Sequence, residues 1–330
     1  MDILKKPLGG FFELELPKKG SLYHDSALAL ANGRVCFKVL LERVKPTKVF
    51  VPFYCCDKLV LPLEELKIPF EYYAINSNFD PIGIPLLADS ELFVFINYFG
   101  LKNQTARKLS KLLGEQLVID NTHAFFEKSY GVTWAFNSAR KFFGVPDGGF
   151  LYSPQYLEDS FTPINPSVTD HLWLSLCGNH DEAFKYFQEN EASQTSARAG
   201  MSDLTKRILY GVDFPDVIRA RKRNFRRLSN AFRHINKMSP TLFDLLPSVV
   251  PFCYPLLLDF PIEKEELYEN RIYIPTFWSG ILERDNPGFN FEKSLVDKLL
   301  PIPIDHRLEE KDIRRMVEFI LELQKSSVYK

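Results

Sequence analysis

Three short segments of the chain carry side chains that could do chemistry together. The first is Leu117-Val118-Ile119-Asp120-Asn121-Thr122-His123-Ala124, an apolar run that ends in a carboxylate with an imidazole three residues on. At the carboxyl end of a parallel strand such an acid projects into the crevice where α/β proteins bind ligands. Taken alone, such an Asp is more often a turn former or a helix cap. The second segment, Trp134 to Gly149, reads as a strand, a polar bend holding Lys141, and Gly148-Gly149 at the start of another apolar run. A solvated loop lysine and a tight turn would be the plain account. The aromatic pair Phe142-Phe143 and Gly144 directly after Lys141 suggest instead an amine held near packed surface, and partial desolvation suits an amine to Schiff-base chemistry. The third segment, Ala31-Asn32-Gly33-Arg34-Val35-Cys36, opens a helical pattern. A glycine there lets backbone N–H groups approach a phosphate, and the helix dipole favours the negative charge. Asn32 as a simple N-cap accounts for part of the same pattern.

These segments need a scaffold, and the chain supplies one in alternating short apolar runs and helical patterns, which favours a parallel sheet with helices on both faces. The expected strands are Lys48–Pro52, Phe70–Ala74, Leu92–Asn97, Leu117–Asp120, Gly131–Phe136 and Gly149–Tyr152. Between them Arg34–Val44, Asp57–Leu66 and Ala106–Leu113 carry apolar residues at helical spacing. After about residue 200 the texture changes: a long charged helix near Asp216–Ile235, strands at Phe252–Asp259 and Ile272–Pro275, and a terminal helix over Glu309–Lys325. The expected division is a large domain over 1–205 and a smaller α/β domain over 206–330.

Composition narrows the function classes. Forty-one Lys+Arg against 42 Asp+Glu leave no net field to recruit nucleic acid or an anionic membrane. The one basic run, Arg219 to Arg223 with Arg226 and Arg227, reads as a solvated helix face. The N-terminal MDILKKPLGGFFELEL lacks the uninterrupted apolar stretch of a signal peptide, and no segment approaches the roughly 18 apolar residues of a membrane span. Five cysteines make no disulfide framework, adjacent Cys55 and Cys56 suit no shared tetrahedral metal, and a cytoplasmic protein with reduced thiols is expected.

Together the three segments resemble the DegT-type sugar aminotransferases, a family of pyridoxal-phosphate (PLP) enzymes of fold type I. That family has a strand ending in an acid, Gln or His three residues later, and a Schiff-base lysine before a Gly-Gly; here these are Asp120, His123, Lys141 and Gly148-Gly149. The resemblance extends to Val49-Phe50-Val51-Pro52-Phe53-Tyr54, to Phe95-Ile96-Asn97-Tyr98-Phe99-Gly100, and late in the chain to Tyr273–Trp278 and Leu300–Asp305. It implies a large three-layer αβα domain with a mostly parallel sheet and a smaller C-terminal domain. It implies Lys141 as the covalent carrier of PLP and as a proton-moving base, Asp120 as the acid that keeps the ring nitrogen protonated, and His123 beside the ring. Asn32, Gly33 and Arg34 would cradle the phosphate, with Ser138 as a hydroxyl donor and Arg198 reaching it from a partner. Asn97 would donate to the phenolic oxygen, and Tyr54 would line the ring face.

The implied activity is transfer of an amino group, from glutamate, to a keto group on a nucleotide-linked sugar, in a homodimer serving polysaccharide or deoxy-amino-sugar synthesis. A sugar dehydratase of the same fold and a paralogue with a binding or regulatory role are the alternatives; relatives that dehydrate replace the lysine with His, and Lys141 is present. Three positions depart from the family pattern. Phe136 stands five residues before Lys141, where a phosphate-binding hydroxyl is usual. Cys56 aligns with the ring-stacking aromatic, and the segment Ala199–Asp203 lacks the expected Asn.

Overall fold

The computed structural model describes residues 14–18, 20–155, 157, 160–261 and 264–328. The opening residues 1–13 of the N-terminal segment lie outside the described residues. The first half alternates strand and helix: β1 (Leu28–Leu30), α1 (Gly33–Val44), β2 (Lys48–Pro52), α2 (Asp57–Glu65), β3 (Phe70–Tyr73), β4 (Glu91–Ile96), α3 (Asn103–Leu113), β5 (Leu117–Asp120), β6 (Trp134–Phe136) and β7 (Gly149–Tyr152). The second half is mostly helical: α4 (Asp170–Leu176), α5 (His180–Ser193), α6 (Asp203–Tyr210), α7 (Phe214–Phe232), β8 (Cys253–Leu257), α8 (Lys264–Glu269), α9 (Asn290–Lys298), β9 (Leu299–Pro303) and α10 (Glu310–Val328).

The seven early strands form one sheet in the order β1-β7-β6-β5-β4-β2-β3. Strands β2 to β6 run parallel, and only β7 is reversed, pairing antiparallel with both β6 and β1. The parallel strands β4 and β5 are buried almost end to end, which explains their unbroken apolar runs. β8 and β9 form a separate antiparallel pair. The chain is therefore a mixed α/β fold with a mostly parallel sheet and a second small sheet.

Every parallel strand delivers its chain to the same edge of the sheet. There β5 ends in Asp120, β6 runs into the turn that carries Lys141, β4 runs into Asn97, and β2 runs into Tyr54 and Cys56. β1, antiparallel to β7 and so aligned with β6, leads to the N-terminus of α1 at that edge.

Several elements differ from the sequence reading. Ile272–Pro275 is not a strand: Ile272 and Ile274 are buried and alternate with exposed Tyr273 and Pro275, but no strand among the described residues pairs with them. Alternation reports burial on one side, and a ladder also needs a partner. The three-residue β1 is too short to leave a periodic signal, and the α4–α5 hairpin has no counterpart among the expected elements.

The Gly148-Gly149 turn is a packing device. Gly148 has φ +114, donates its N–H to the Ala31 carbonyl (2.5 Å), and hands the chain to Gly149. A Cβ at Gly149 would lie 2.7 Å from the carbonyl carbon of Asn32 and 3.0 Å from the Asn137 oxygen, so only glycine lets β7 pass the start of α1. Gly149→Ala is therefore expected to lower stability by about 1–3 kcal/mol, since backbone must move to admit the methyl. Chemical denaturation measures this, and an unchanged midpoint would show that the two segments are not locked together.

Candidate active site at the carboxyl edge of the sheet

Asp120 sits between Ile96 and Phe136 in the sheet register and is buried. Its Oδ1 accepts the Thr122 N–H at 2.8 Å. Burial nevertheless outweighs the Thr122 hydrogen bonds and the nearby Lys141 charge, and pushes the carboxyl up to about 6. His123 follows in the turn after β5 and is also buried. Burial first, and the Lys141 charge second, hold its imidazole down to about 3. Its ring lies nearly parallel to Phe252 (centroids 4.4 Å, 13°) and to Trp278 (5.6 Å, 7°). Its Nδ1 is buried and has no hydrogen-bond partner among the described residues. The backbone here is fixed by Gly100, at φ +70, where a Cβ would come within 2.6 Å of the His123 carbonyl oxygen.

Lys141 ends a single 3-10 turn, Ala139–Lys141, immediately beyond β6. Its side chain is exposed, which corrects the expectation of an amine pressed onto packed surface: Phe142 and Phe143 turn inward and Lys141 turns out. Its charge reaches Asp120, His123 and Cys56, so the acid, the imidazole, the thiol and the amine share one neighbourhood. Cys56, the N-cap residue of α2, is raised by burial and feels Lys141 and Asp120. The thiol thus stands at this edge where the family pattern has an aromatic.

The start of α1 lies on the same side as Asp120, whose charge reaches Cys36 in its first turns. Asn32 caps the helix, its Oδ1 accepting the Val35 N–H at 3.0 Å. Its Nδ2 donates to Gln194 Oε1 (3.1 Å) and to the Thr195 carbonyl (3.0 Å). Arg34 Nη1 donates to the Gln194 carbonyl at 2.5 Å. The 194–195 segment is therefore hooked over the helix N-terminus, a connection no local pattern signals. Phe136 stacks on Phe37 of α1 (5.6 Å, 27°), a ring where the family pattern has a hydroxyl. Ser138 is buried in the turn before Lys141. Arg198 binds within its own chain, on Glu42 (3.5 Å) and over the Phe161 ring.

Two expected site residues are otherwise engaged. Asn97 donates through Nδ2 to Asn103 Oδ1 (2.6 Å) and Asn121 Oδ1 (3.0 Å), and its Oδ1 accepts the Lys102 N–H (3.0 Å). Both amide hydrogens are used, so Asn97 is a structural pin with none left for a phenolic oxygen. Tyr54 is fully buried, edge-on to Trp278 (4.5 Å) and against Tyr98. It packs behind the edge.

A cavity of about 840 Å³ is lined in part by Lys141. Asp120, His123 and Gly33 are not among its lining residues; Phe252 and Phe277, which pack on His123, are. The basic run on α7 contributes too. Its buried stripe is Val217, Ala220, Arg221, Asn224, Phe225, Leu228 and Phe232, so Arg221 points inward and is only 2% exposed. The reading of that run as a solvated face holds for Arg219, Arg223 and Arg226 and fails at Arg221. Counting every third and fourth residue from Val217 would have found it.

PLP needs an acid opposite its ring nitrogen, an amine for its aldehyde carbon, and donors for a phosphate dianion. The buried Asp120 carboxyl, the unpartnered His123 Nδ1 and the neighbouring Lys141 fit the first two requirements. The phosphate end has the α1 N-terminus and Arg34 but no hydroxyl at position 136.

No protein-family model matches the chain, and no curated protein matches it in sequence. Its fold does match solved structures. A DegT DnrJ EryC1 StrS aminotransferase from Brucella abortus superposes with a TM-score of 0.56 at 16% identity, over 90% of this chain and 85% of that one. The aminotransferase TlmJ from Streptoalloteichus hindustanus reaches 0.63 at 12% identity, over 92% and 86%. PseC of Helicobacter pylori, an aminotransferase involved in pseudoaminic acid biosynthesis, reaches 0.59 at 14% identity, over 90% and 87%. The likeness spans nearly the whole chain and is one of fold. The architecture implied by the sequence resemblance is thus the one observed.

Proposed function

We propose that this chain is a PLP-dependent aminotransferase, with Lys141 carrying the cofactor and Asp120 opposite the ring nitrogen. The observation that carries the reading is the buried Asp120 carboxyl, raised to about 6 and within electrostatic reach of Lys141. When bound, PLP supplies an electron sink at its protonated ring. The chain's own residues do the rest. Asp120 holds a positive charge opposite its carboxylate, and Lys141 moves a proton at its Nζ. His123 lines the ring, and the N–H groups at Gly33 and Arg34, with the Arg34 guanidinium, meet the phosphate. Ser138 is a secondary donor. In this reading a nucleotide-linked keto sugar is the acceptor, in line with a fold neighbour solved with its TDP-sugar product, and glutamate is the donor.

Residues 1–205 form the cofactor-binding domain and 206–330 the smaller one in this reading. Two copies pair as a homodimer, supported by exposed Trp173 and Leu176 on α4 and Phe184 and Phe187 on α5. Phe136 favours a second reading, a paralogue that holds the cofactor poorly and serves as a binding protein.

One experiment separates the two. Purified protein is mixed with PLP, its absorbance followed before and after glutamate, and the complex reduced with borohydride for peptide mapping. An aminotransferase gives a cofactor band that shifts with glutamate and a label on Lys141. A band that does not respond, or a label on another lysine, overturns the reading.

A further inference from the structure

Nine buried side-chain polar atoms lack a hydrogen-bond partner among the described residues, and four of them, Arg140 Nε, His171 Nδ1, Arg221 Nε and His306 Nδ1, belong to residues lining the large cavity beside Lys141. A buried donor without a partner is costly, more so on a charged group. Two of the four are guanidinium N–H donors that lack an acceptor, and the two imidazole nitrogens donate or accept according to tautomer.

The two ends differ in charge. Arg140 donates to Asn190 Oδ1 (2.7 Å) and is paired with Glu191, so the end near His171 is neutralised. At the other end Arg221 uses Nη1 on the Pro251 (3.4 Å) and Phe252 (3.0 Å) carbonyls, which leaves the Nε side of its guanidinium unused. Its carbon lies 4.4 Å from the ring centre of Phe142, the residue next to Lys141. The carboxylate nearest in charge, Asp305, is already held by Arg307 through Nε (2.8 Å) and Nη2 (3.2 Å). His306 sits beside this pair with its ring 6.2 Å from Phe143. Asn224, one turn along α7 from Arg221, fixes the loop by donating to the Asp305 (3.1 Å) and Leu308 (3.2 Å) carbonyls. Walls such as Phe143, Leu172, Leu204, Ile208 and Phe277 keep the space apolar.

We infer that Arg221 and His306 form an oxyanion subsite, which takes the carboxylate or phosphate of a ligand whose body lies against the aromatic wall beside Lys141. The Nε side of the guanidinium meets one anionic oxygen in a desolvated setting, where charge-assisted hydrogen bonds are strong. His306, kept neutral by burial and by Arg221, donates from Nδ1 as the matching tautomer. Placing this oxyanion on the amino donor or acceptor rests on the function proposed above; its binding does not.

The test titrates cofactor-free protein with phenylacetate, phenyl phosphate and neutral phenylacetamide, followed by calorimetry or ligand-observed NMR. At least one anion is expected to bind saturably and about tenfold or more tighter than the amide. Preference for phenyl phosphate points to a phosphorylated substrate, and preference for phenylacetate to a carboxylate. Arg221→Lys should weaken that anion severalfold, His306→Gln less, and neither should change amide binding. The acid-to-amide comparison on the parent needs no variant, so a folding defect in Arg221→Lys leaves the test intact. Equal binding of acid and amide, no binding of either anion, or folded variants that bind like the parent overturns the subsite. Because PLP is absent throughout, failure here is distinct from failure of the absorbance and labelling test.

Discussion

Asp120→Asn is expected to stabilise the cofactor-free protein while crippling it as an enzyme. The Asp120 carboxyl is raised to about 6 by burial, against about 3.9 in an unfolded chain. A raised acid costs the folded state nothing below the unfolded value. The cost grows from about pH 4 to pH 6 and is complete above that, where it reaches at most about 3 kcal/mol. An amide keeps the acceptor for the Thr122 N–H and carries no charge, so it removes the cost. The variant should melt above its parent near pH 7.5 and match it near pH 4. His24 and His123, both held down to about 3 by burial, weaken both proteins alike as the pH falls below about 6.5. The comparison is therefore made at each pH. Adding PLP should reverse the order, because the parent gains stability by binding while the amide cannot hold a cationic ring nitrogen. Turnover should fall with it. Matching melting profiles, with and without PLP, would sink the assignment of Asp120.

Lys141→Ala should show the opposite balance, a large loss of function with almost no change in folding. The side chain is exposed, and exposed substitutions away from packed features usually move stability by no more than about 0.5 kcal/mol. Losing a positioned proton carrier costs on the order of 10²–10⁴-fold in rate. Loss of covalent attachment should appear directly, as a cofactor that washes out and leaves no borohydride label. Removing the ammonium also takes away a charge that lowers the Asp120 carboxyl, so that acid should titrate still higher in the variant. A small free amine such as methylamine should restore part of the rate by standing in for the missing group. Turnover near the parental value in a purified Lys141→Ala protein would falsify the role of the lysine, whatever the fold suggests.

Much of this edge was legible in the sequence because parallel strands advertise themselves locally. An apolar run buried on both faces needs no partner to be recognised, and the residues just past its end lie at the carboxyl edge by construction. Asp120 at the end of β5 and Lys141 beyond β6 are legible in that way, and the glycine pair at the start of β7 marks the close approach to Asn32. The chemistry of single residues is legible as well: a carboxylate, an imidazole and an amine keep their reactivity in any fold.

What the tertiary structure decided is which donors are free, since a hydrogen bond across a large sequence separation leaves no mark in either segment. Asn97 reads as an available amide until Asn121 meets it from the next strand, 24 residues on. Asn32 reads as a free donor at the start of α1 until the segment at Gln194, about 160 residues away, takes both its amide hydrogens along with Nη1 of Arg34. Tyr54 reads as a ring face until Trp278 packs against it. Lys141 reads as an amine held near packed surface beside two phenylalanines, yet one 3-10 turn directs those rings inward and the amine outward. Arg221 shows the same division from the other side. Its place in the α7 stripe was determined by spacing, whereas its unpartnered Nε and the cavity that Arg221 helps to line arise only when α7, the end of β9 and the Lys141 turn converge. Sequence determines which groups exist and which way each element must face. Long-range packing determines which of those groups remain unsatisfied, and unsatisfied groups are the ones left to bind.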